Sequence, residues 1–469
     1  MPSVTDAGSA RPRARAMQHR DVLSAIVLAD GPHAGLRVAG LSLGERGRRV
    51  AGRAGAERVL VVTTAADRAA IPAWHQAGGR LLVIRAADQL THTPLVADLV
   101  AAVAAPPAAA TSSGAATPAV AVAPAAPPKD PAIAARVAGD LAPGAYASAL
   151  AARGAAADAL AAALAAGDDD RELAAAWLGD AAAPAAAIPH GAIARYPVTD
   201  RASARAAERL LFRIIHKPQD NAITRYLFRP VSHAMTRVVV HTPITPNQVS
   251  LTVAVMCAIG LWLTARGPMS SAIAGTAVML AASYVDCVDG EVARLKLLSS
   301  KFGAWLDTVV DELSSVGQVI AFGIHCHRWF GPRYFGELGF DPWLAATAIA
   351  VVAFLISIYC VYYNIIVVVG SANSQDYVGR FEIVDGKLRP AIQASRVDEL
   401  WLPFRLAAIV GPNIIRRDFI SWAALVLVIL HLTHVAFGTL VLGGLVTAPI
   451  VTVDHIRLLR LRRRAARAA

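Results

Sequence analysis

Two patterns of apolar and polar residues divide the chain. Up to about residue 105, short β-rich runs alternate with helix-length amphipathic stretches. The runs are Val22–Asp30 (VLSAIVLAD), Arg58–Thr64 (RVLVVTT) and Arg80–Arg85 (RLLVIR). Ser42–Gly55 and Asp67–Gly78 separate them as helices. Strands alternating with helices predict a small α/β, Rossmann-like domain with a parallel sheet. Residues 105–132, rich in Ala, Pro, Ser and Thr, read as a flexible linker, and 133–185 as Ala-rich helix.

The second pattern begins near Arg201. Arg201, Arg205, Arg209, Arg213 and Lys217 recur every four residues, with Leu210, Leu211, Ile214 and Ile215 on the other side. That is the pattern of an amphipathic helix on an anionic membrane surface, or of a helix with one solvated face. Apolar runs of membrane-spanning length follow at 248–265, 270–288, 304–325, 343–369, 414–433 and 435–454. Each suits a hydrocarbon core of ~30 Å. Six spans, with basic residues before the first and after the last, place both chain ends on the cytoplasmic side. The expected architecture is therefore an all-α domain of six transmembrane helices, preceded by an interfacial helix and a small α/β domain.

Composition changes this picture little. The net charge is +11, yet 40 of the 45 basic residues are Arg and five are Lys, which fits the codon bias of a GC-rich genome more than a nucleic-acid partner. Cys257, Cys287, Cys326 and Cys360 are scattered without a CxxC pair, so neither a zinc site nor a disulfide framework follows. The first 21 residues have no apolar core, so no cleavable signal peptide is expected.

The chemistry concentrates where the second span meets the third. Asp286 and Asp289 are three apart, and Asp307 and Asp311 four apart, so each pair shares a helix face. A short turn between the two helices lets those faces meet. Four converging carboxylates stay ionised together only with cations between them. All-oxygen ligation suits Mg²⁺ or Mn²⁺. Gly290 and Gly303 leave room for a ligand near the backbone, Ala293 keeps the wall thin and Arg294 can pair with phosphate. These parts describe pyrophosphate cleavage with an alcohol as nucleophile.

Residues 286–311 fill all eight fixed positions of DxxDGxxARx8GxxxDxxxD, the motif of the CDP-alcohol phosphotransferase (CDP-alcohol phosphatidyltransferase) family, which the chain resembles. The resemblance implies a CDP-linked donor, an alcohol acceptor, two divalent ions and release of CMP, in phospholipid or polyol-phosphodiester synthesis. It makes Asp286, Asp289 and Asp307 metal ligands. It makes Asp311 the general base, counted with the metal ligands as well. Asp286, Gly290, Ala293, Arg294 and Gly303 fall where the family cradles CDP, with Asn247 as a further polar contact. Lys217–Ser232, Thr245–Val249 and Arg417-Asp418-Phe419 resemble the branch that fuses inositol-phosphate cytidylyltransferase to di-myo-inositol-phosphate-phosphate synthase. Arg417 and Asp418 are its acceptor or phosphate candidates. The resemblance also implies the inner membrane, a cytoplasmic active site and membrane lipid as surroundings, with a homodimer as a candidate assembly.

In that branch the first domain makes the CDP donor. Here Gly31, Gly35, Arg37 and Asp88 resemble parts of its triphosphate and metal site, but the loop is short and its Pro-Lys element is missing. The resemblance implies a degenerate nucleotidyltransferase. The chain then divides into a disordered start (1–20), the α/β domain (21–104), an Ala/Pro-rich linker and helical region (105–190), a juxtamembrane region (191–240), the membrane domain (241–460) and a basic tail (461–469). Trp305 is expected to pack at the membrane interface, and His325 and His327 lie away from the aspartates. Tyr359, Tyr362, Tyr363 and Asn364 are acceptor-pocket candidates. Within the transferase reading the donor is either CDP-diacylglycerol or an inositol-phosphate type. Two other classes compete: a cation transporter, and an inactive membrane anchor for a nucleotide-sensing domain. Transporters place ionisable groups at the midplane and show repeats, neither of which is seen. The intact motif opposes the anchor.

Overall fold

The computed structural model describes residues 22–91, 93–104, 120–124, 146–179, 186–187, 195–215, 224–370, 377–384, 387–390 and 417–468. It divides into two compact units, Met1–Leu210 and Leu211–Ala469.

The first unit is built on a six-stranded sheet. Its strands are β1 (Leu23–Leu28), β4 (Arg58–Val62), β5 (Arg80–Arg85), β7 (Val120–Pro124), β8 (Tyr146–Arg153) and β9 (Ala186–Ala187), in the order β4-β1-β5-β8-β7-β9. Two strand pairs flank it: β2 (Arg37–Val38) with β3 (Leu41–Ser42), and β6 (Gln89–Thr91) with β10 (Arg195–Pro197). Helices α1 (Leu43–Arg53), α2 (Ala65–Ala69), α3 (Ile71–Trp74), α4 (Thr93–Val103), α5 (Ala155–Ala166) and α6 (Asp170–Gly179) complete the unit. Every residue of β1 is buried, as a continuous apolar run between parallel neighbours requires.

Three expectations for this unit are corrected. The sheet is mixed: β1 pairs parallel with β4 and β5, but β8 runs antiparallel to β5 and β7. Part of the stretch read as linker and helix supplies strands. β8 and α5 place Leu150, Ala152, Ala157, Leu160 and Leu164 in one core with Ile26 and Val83. Pairing to β5 overrides the helical leaning of its alanines. The first unit also runs past 190, since β10 pairs with β6 and the Ala39 amide donates to Glu208 at 3.1 Å. The rest of the expected linker lies outside the described residues.

Helix α7 (Arg201–Ile214) forms where the Arg stripe predicts it. Its arginines are exposed, but Ala204, Ala207, Leu210 and Leu211 are buried in protein. Its apolar face is therefore packed in protein, with its basic face turned outward.

The second unit is helical. A π-helical turn, Thr224–Phe228, leads into α8 (Arg229–Val239). Then come α9 (Pro246–Ala265), α10 (Met269–Leu295), α11 (Lys301–Phe330) and α12 (Pro342–Tyr362), the last continued by a π segment to Val369. A short hairpin, β11 (Phe381–Val384) and β12 (Lys387–Pro390), precedes α13 (Arg417–Ile429) and α14 (Thr433–Ala468). Among the described residues, four helices are long and apolar enough to cross a membrane: Pro246–Ala265, Met269–Leu295, Pro342–Val369 and Thr433–Arg464. The other two expected spans are helices at the expected places. However, α11 carries Asp307, Asp311 and Glu312, and the apolar part of α13 is the short Phe419–Ile429.

Two local features fix the geometry around the aspartates. Helices α9 and α10 meet backbone to backbone at Gly260 and Gly275, where a Cβ on Gly260 would stand 2.9 Å from the Gly275 carbonyl oxygen. Small residues at a helix crossing permit that approach. The turn after α10 closes tightly, with Leu297 at φ 55° and the Leu298 amide donating to the Ala293 carbonyl at 2.8 Å. Ser300 then caps α11 by accepting from the Gly303 amide at 2.9 Å. The end of α10 and the start of α11 are thereby held side by side.

Candidate active site

Asp286 and Asp289 lie on the last turns of α10, and Asp307 and Asp311 on the first turns of α11. Carboxylate oxygens of Asp286, Asp307 and Asp311 all lie within 4.8 Å of one another. Oxygens bound to one Mg²⁺ at ~2.1 Å each lie at most ~4.2 Å apart, so a small inward movement would suffice to share an ion. The donor set, three carboxylates and no nitrogen or sulfur, fits a hard divalent cation. Asp289 is outside this set; its Oδ2 accepts from the Ser250 hydroxyl of α9 at 2.6 Å, in a buried position.

A cavity of about 150 Å³ adjoins the carboxylates. Asn247, Asp289, Gly290, Ala293, Arg294, Gly303 and Asp307 all line it, together with Ser250 and Ser300. Asp307 thus faces the cavity and also belongs to the carboxylate set. A Cβ on Gly303 would stand 3.0 Å from Asn247 Oδ1, a close approach that accounts for the glycine; one on Gly290 would stand 3.3 Å from Arg294 Nη1, the end of a flexible side chain. Asn247 itself is carried at the start of α9, where Thr245 and Gln248 form a capping box: the Thr245 amide donates to Gln248 Oε1 at 2.9 Å.

Sequence reasoning missed three groups here. Ser250 holds Asp289 from 39 residues away. Lys296 Nζ donates to the carbonyls of Thr242 (2.5 Å) and Ile244 (3.0 Å), tying the end of α10 to the segment that leads into Asn247. Glu291, fully buried, accepts from Arg229, Ser232 and Thr236 of α8. A Glu directly after the Asp-Gly pair was the one available signal.

The remaining candidates separate. Tyr362 donates to Glu312, the residue after Asp311, at 3.0 Å. Tyr359 is 61% exposed, Tyr363 bonds Arg462 and Asn364 donates to the Val378 carbonyl. Trp305 is half-exposed beside Phe302. His327 pairs with Asp341, and His325 is buried near the far end of α11. Arg417 and Asp418 open α13, and their side chains lie outside the described residues.

In the first unit two of the residues that resembled a nucleotidyltransferase site, Asp88 and Gly31, are engaged in local packing and ion pairs. Asp88 is bonded by Arg85 (3.2 Å) and Arg171 (2.7 Å). Asp30, at the end of β1, pairs with Arg68 at 2.7 Å. A Cβ on Gly31 would stand 2.8 Å from Ala87 Cβ, so this glycine serves chain packing.

The helical unit thus brings apolar helices of membrane-spanning length, a carboxylate cluster and an adjoining cavity together at paired helix ends. In comparison with known proteins, residues 243–430 match the model of the CDP-alcohol phosphatidyltransferase domain, which lies in the helical unit. The family acts on a CDP-linked donor and an alcohol acceptor and uses divalent metals. The chain is 33% identical over 121 residues to the bifunctional IPC transferase and DIPP synthase of Aquifex aeolicus, covering 25% of this chain and 27% of that protein. It is 34% identical over 108 residues to the protein so named in Rubrobacter xylanophilus, covering 23% and 24%. For the one in Thermococcus kodakarensis the figures are 32% over 109 residues, with 23% and 24%. The matched stretch thus spans about a quarter of these relatives' length.

Proposed function

We propose that the chain transfers a substituted phosphate from a CDP-linked donor to an alcohol. The observation that carries this reading is the meeting of Asp286, Asp307 and Asp311 beside a cavity walled by Asn247, Gly290, Arg294 and Gly303. In the reaction, the acceptor hydroxyl oxygen bonds to the alcohol-side phosphorus of the donor. The bond from that phosphorus to the bridging oxygen breaks, and CMP leaves with that oxygen. Asp311 takes the hydroxyl proton. Arg294 faces the diphosphate, and Gly290 and Gly303 let it approach the helix backbones. Asp286, Asp307 and Asp311 would hold Mg²⁺ or Mn²⁺, with Asp289 completing a site for two ions. When bound, such ions neutralise charge on the diphosphate oxygens and the leaving group.

On this reading α11 and α13 complete six spans. The basic flanks put both chain ends and the active site on the cytoplasmic side of the inner membrane. The first unit, with Asp30 and Asp88 bound by arginines, makes no CDP donor. The likeness to IPC transferase and DIPP synthase favours a polyol-phosphate type of substrate over CDP-diacylglycerol. The test is CMP release from CDP-inositol and from CDP-diacylglycerol, each with a panel of polyol phosphates. Release from CDP-inositol is expected. Release from CDP-diacylglycerol alone would move the protein to phospholipid synthesis, and release from neither donor would refute the reading.

A further inference from the structure

Helix α10 carries Asp289 and Glu291 two residues apart, hence about 200° apart around its axis. Asp289 lines the cavity and is held by Ser250 of α9. Glu291 faces away from it and is completely buried. Its Oε1 accepts from Arg229 Nη1 and from the Ser232 hydroxyl, each at 2.7 Å, and its Oε2 accepts from the Thr236 hydroxyl at 2.6 Å. His233 Nε2 stands 3.5 Å from Oε1. Arg229, Ser232 and Thr236 share one face of α8, while Val231 (44% exposed) and Val238 (69%) stand on the opposite face.

A buried carboxylate needs its charge matched and its oxygens satisfied, and α8 supplies both. Three directional bonds fix rotation and height of α10 more narrowly than apolar packing would, because each has a preferred length and angle. The turn so fixed is the one that carries Asp289 and Gly290 into the cavity wall.

We propose that Glu291 is a positioning residue for nucleotide binding: its bonds to Arg229, Ser232 and Thr236 set the height and rotation of the Asp289–Gly290 turn. The proposal rests on the transferase reading above. It makes α8, which contributes no residue to the cavity lining, part of the nucleotide site's support.

The test uses the full chain in detergent, with CDP and Mn²⁺ as probes. Binding of CDP is measured at saturating Mn²⁺, Mn²⁺ binding is measured without nucleotide, and thermal unfolding is followed in the same samples. Glu291→Gln is expected to weaken CDP binding about tenfold, since a bond to a charged buried acceptor is lost. Mn²⁺ affinity should hold, because Asp286, Asp307 and Asp311 are untouched. Thr236→Val should weaken CDP about threefold, and Thr236→Ser, which keeps the donor, should restore it. Should Glu291→Gln fail to fold, the Thr236 pair decides. Unchanged CDP binding in folded Glu291→Gln and in Thr236→Val would overturn the proposal. So would equal losses of CDP and Mn²⁺ binding that track unfolding. Failure of the unmodified protein to bind CDP with Mn²⁺ would refute the transferase reading itself, and this proposal with it.

Discussion

The two units use aspartate in opposite ways. In the α/β unit, several aspartates are matched to arginines of the same unit: Asp30 to Arg68, Asp88 to Arg85 and Arg171, and Asp170 to Arg85. In the helical unit, carboxylates of Asp286, Asp307 and Asp311 are gathered against one another. Ion pairs of this kind hold a structure together. Carboxylates brought within reach of one another repel, and a divalent cation placed among them relieves that repulsion.

The sharpest way to break this contrast is to remove one carboxylate from each unit. Asp311→Asn should lower the rate of CMP release by ~10²–10⁴-fold, the usual contribution of a general base, while CDP still binds. Asp88→Asn in the α/β unit should leave that rate within about twofold, the effect of a surface change away from the chemistry. Equal losses in a CMP-release assay would erase the distinction. A smaller effect is expected at the cavity wall. Gly303→Val places branched carbon where Asn247 Oδ1 already lies 3.0 Å from a Cβ position. Displacing Asn247 and the cap of α11 should raise the donor KM by ~10-fold or more, within the ~10²-fold range of small misplacements. An unchanged KM would show that Asn247 and Gly303 do not meet the donor.

The smallest effect tests the scaffold. Hydrogen bonds from Arg48, aided by Arg49 and opposed by partial burial, pull the Glu45 carboxyl down to about 2. Its folded value is depressed, so its contribution is present above the usual glutamate range and is lost as pH falls from there toward 2. For so exposed a cluster it is worth under ~1 kcal/mol. Glu45→Gln should lower the unfolding temperature of the α/β unit slightly at pH 7, with the difference vanishing near pH 2. A difference that persisted or grew in acid would contradict the pairing.

The site was more legible than the fold around it. Asp286, Asp307 and Asp311 could be expected together because helical periodicity and one short turn fix their faces, whereas Asp289, expected with them, is held by Ser250 instead. The cavity wall followed from the glycines, which only a close approach requires. Ser250 and Glu291 could not be read, because their partners lie 39 to 62 residues away and serine and threonine are common on helices. In the α/β unit, AYASALAAR has no strong strand pattern of its own; its pairing to β5 and β7 decides it. The stripe Arg201–Arg213 showed a basic face, but that its apolar face packs in protein, as the burial of Ala207 and Leu211 shows, could not be read from it.

The central claim is that the gathered carboxylates act through a divalent cation. The direct measurement is CMP release from a CDP-linked donor by the purified full chain, first stripped with EDTA and then titrated with Mg²⁺ or Mn²⁺. No release after stripping, recovery on titration, and no recovery in Asp307→Asn at the same metal concentrations are the predicted results. Full release from the stripped protein, or normal recovery in Asp307→Asn, would contradict the account.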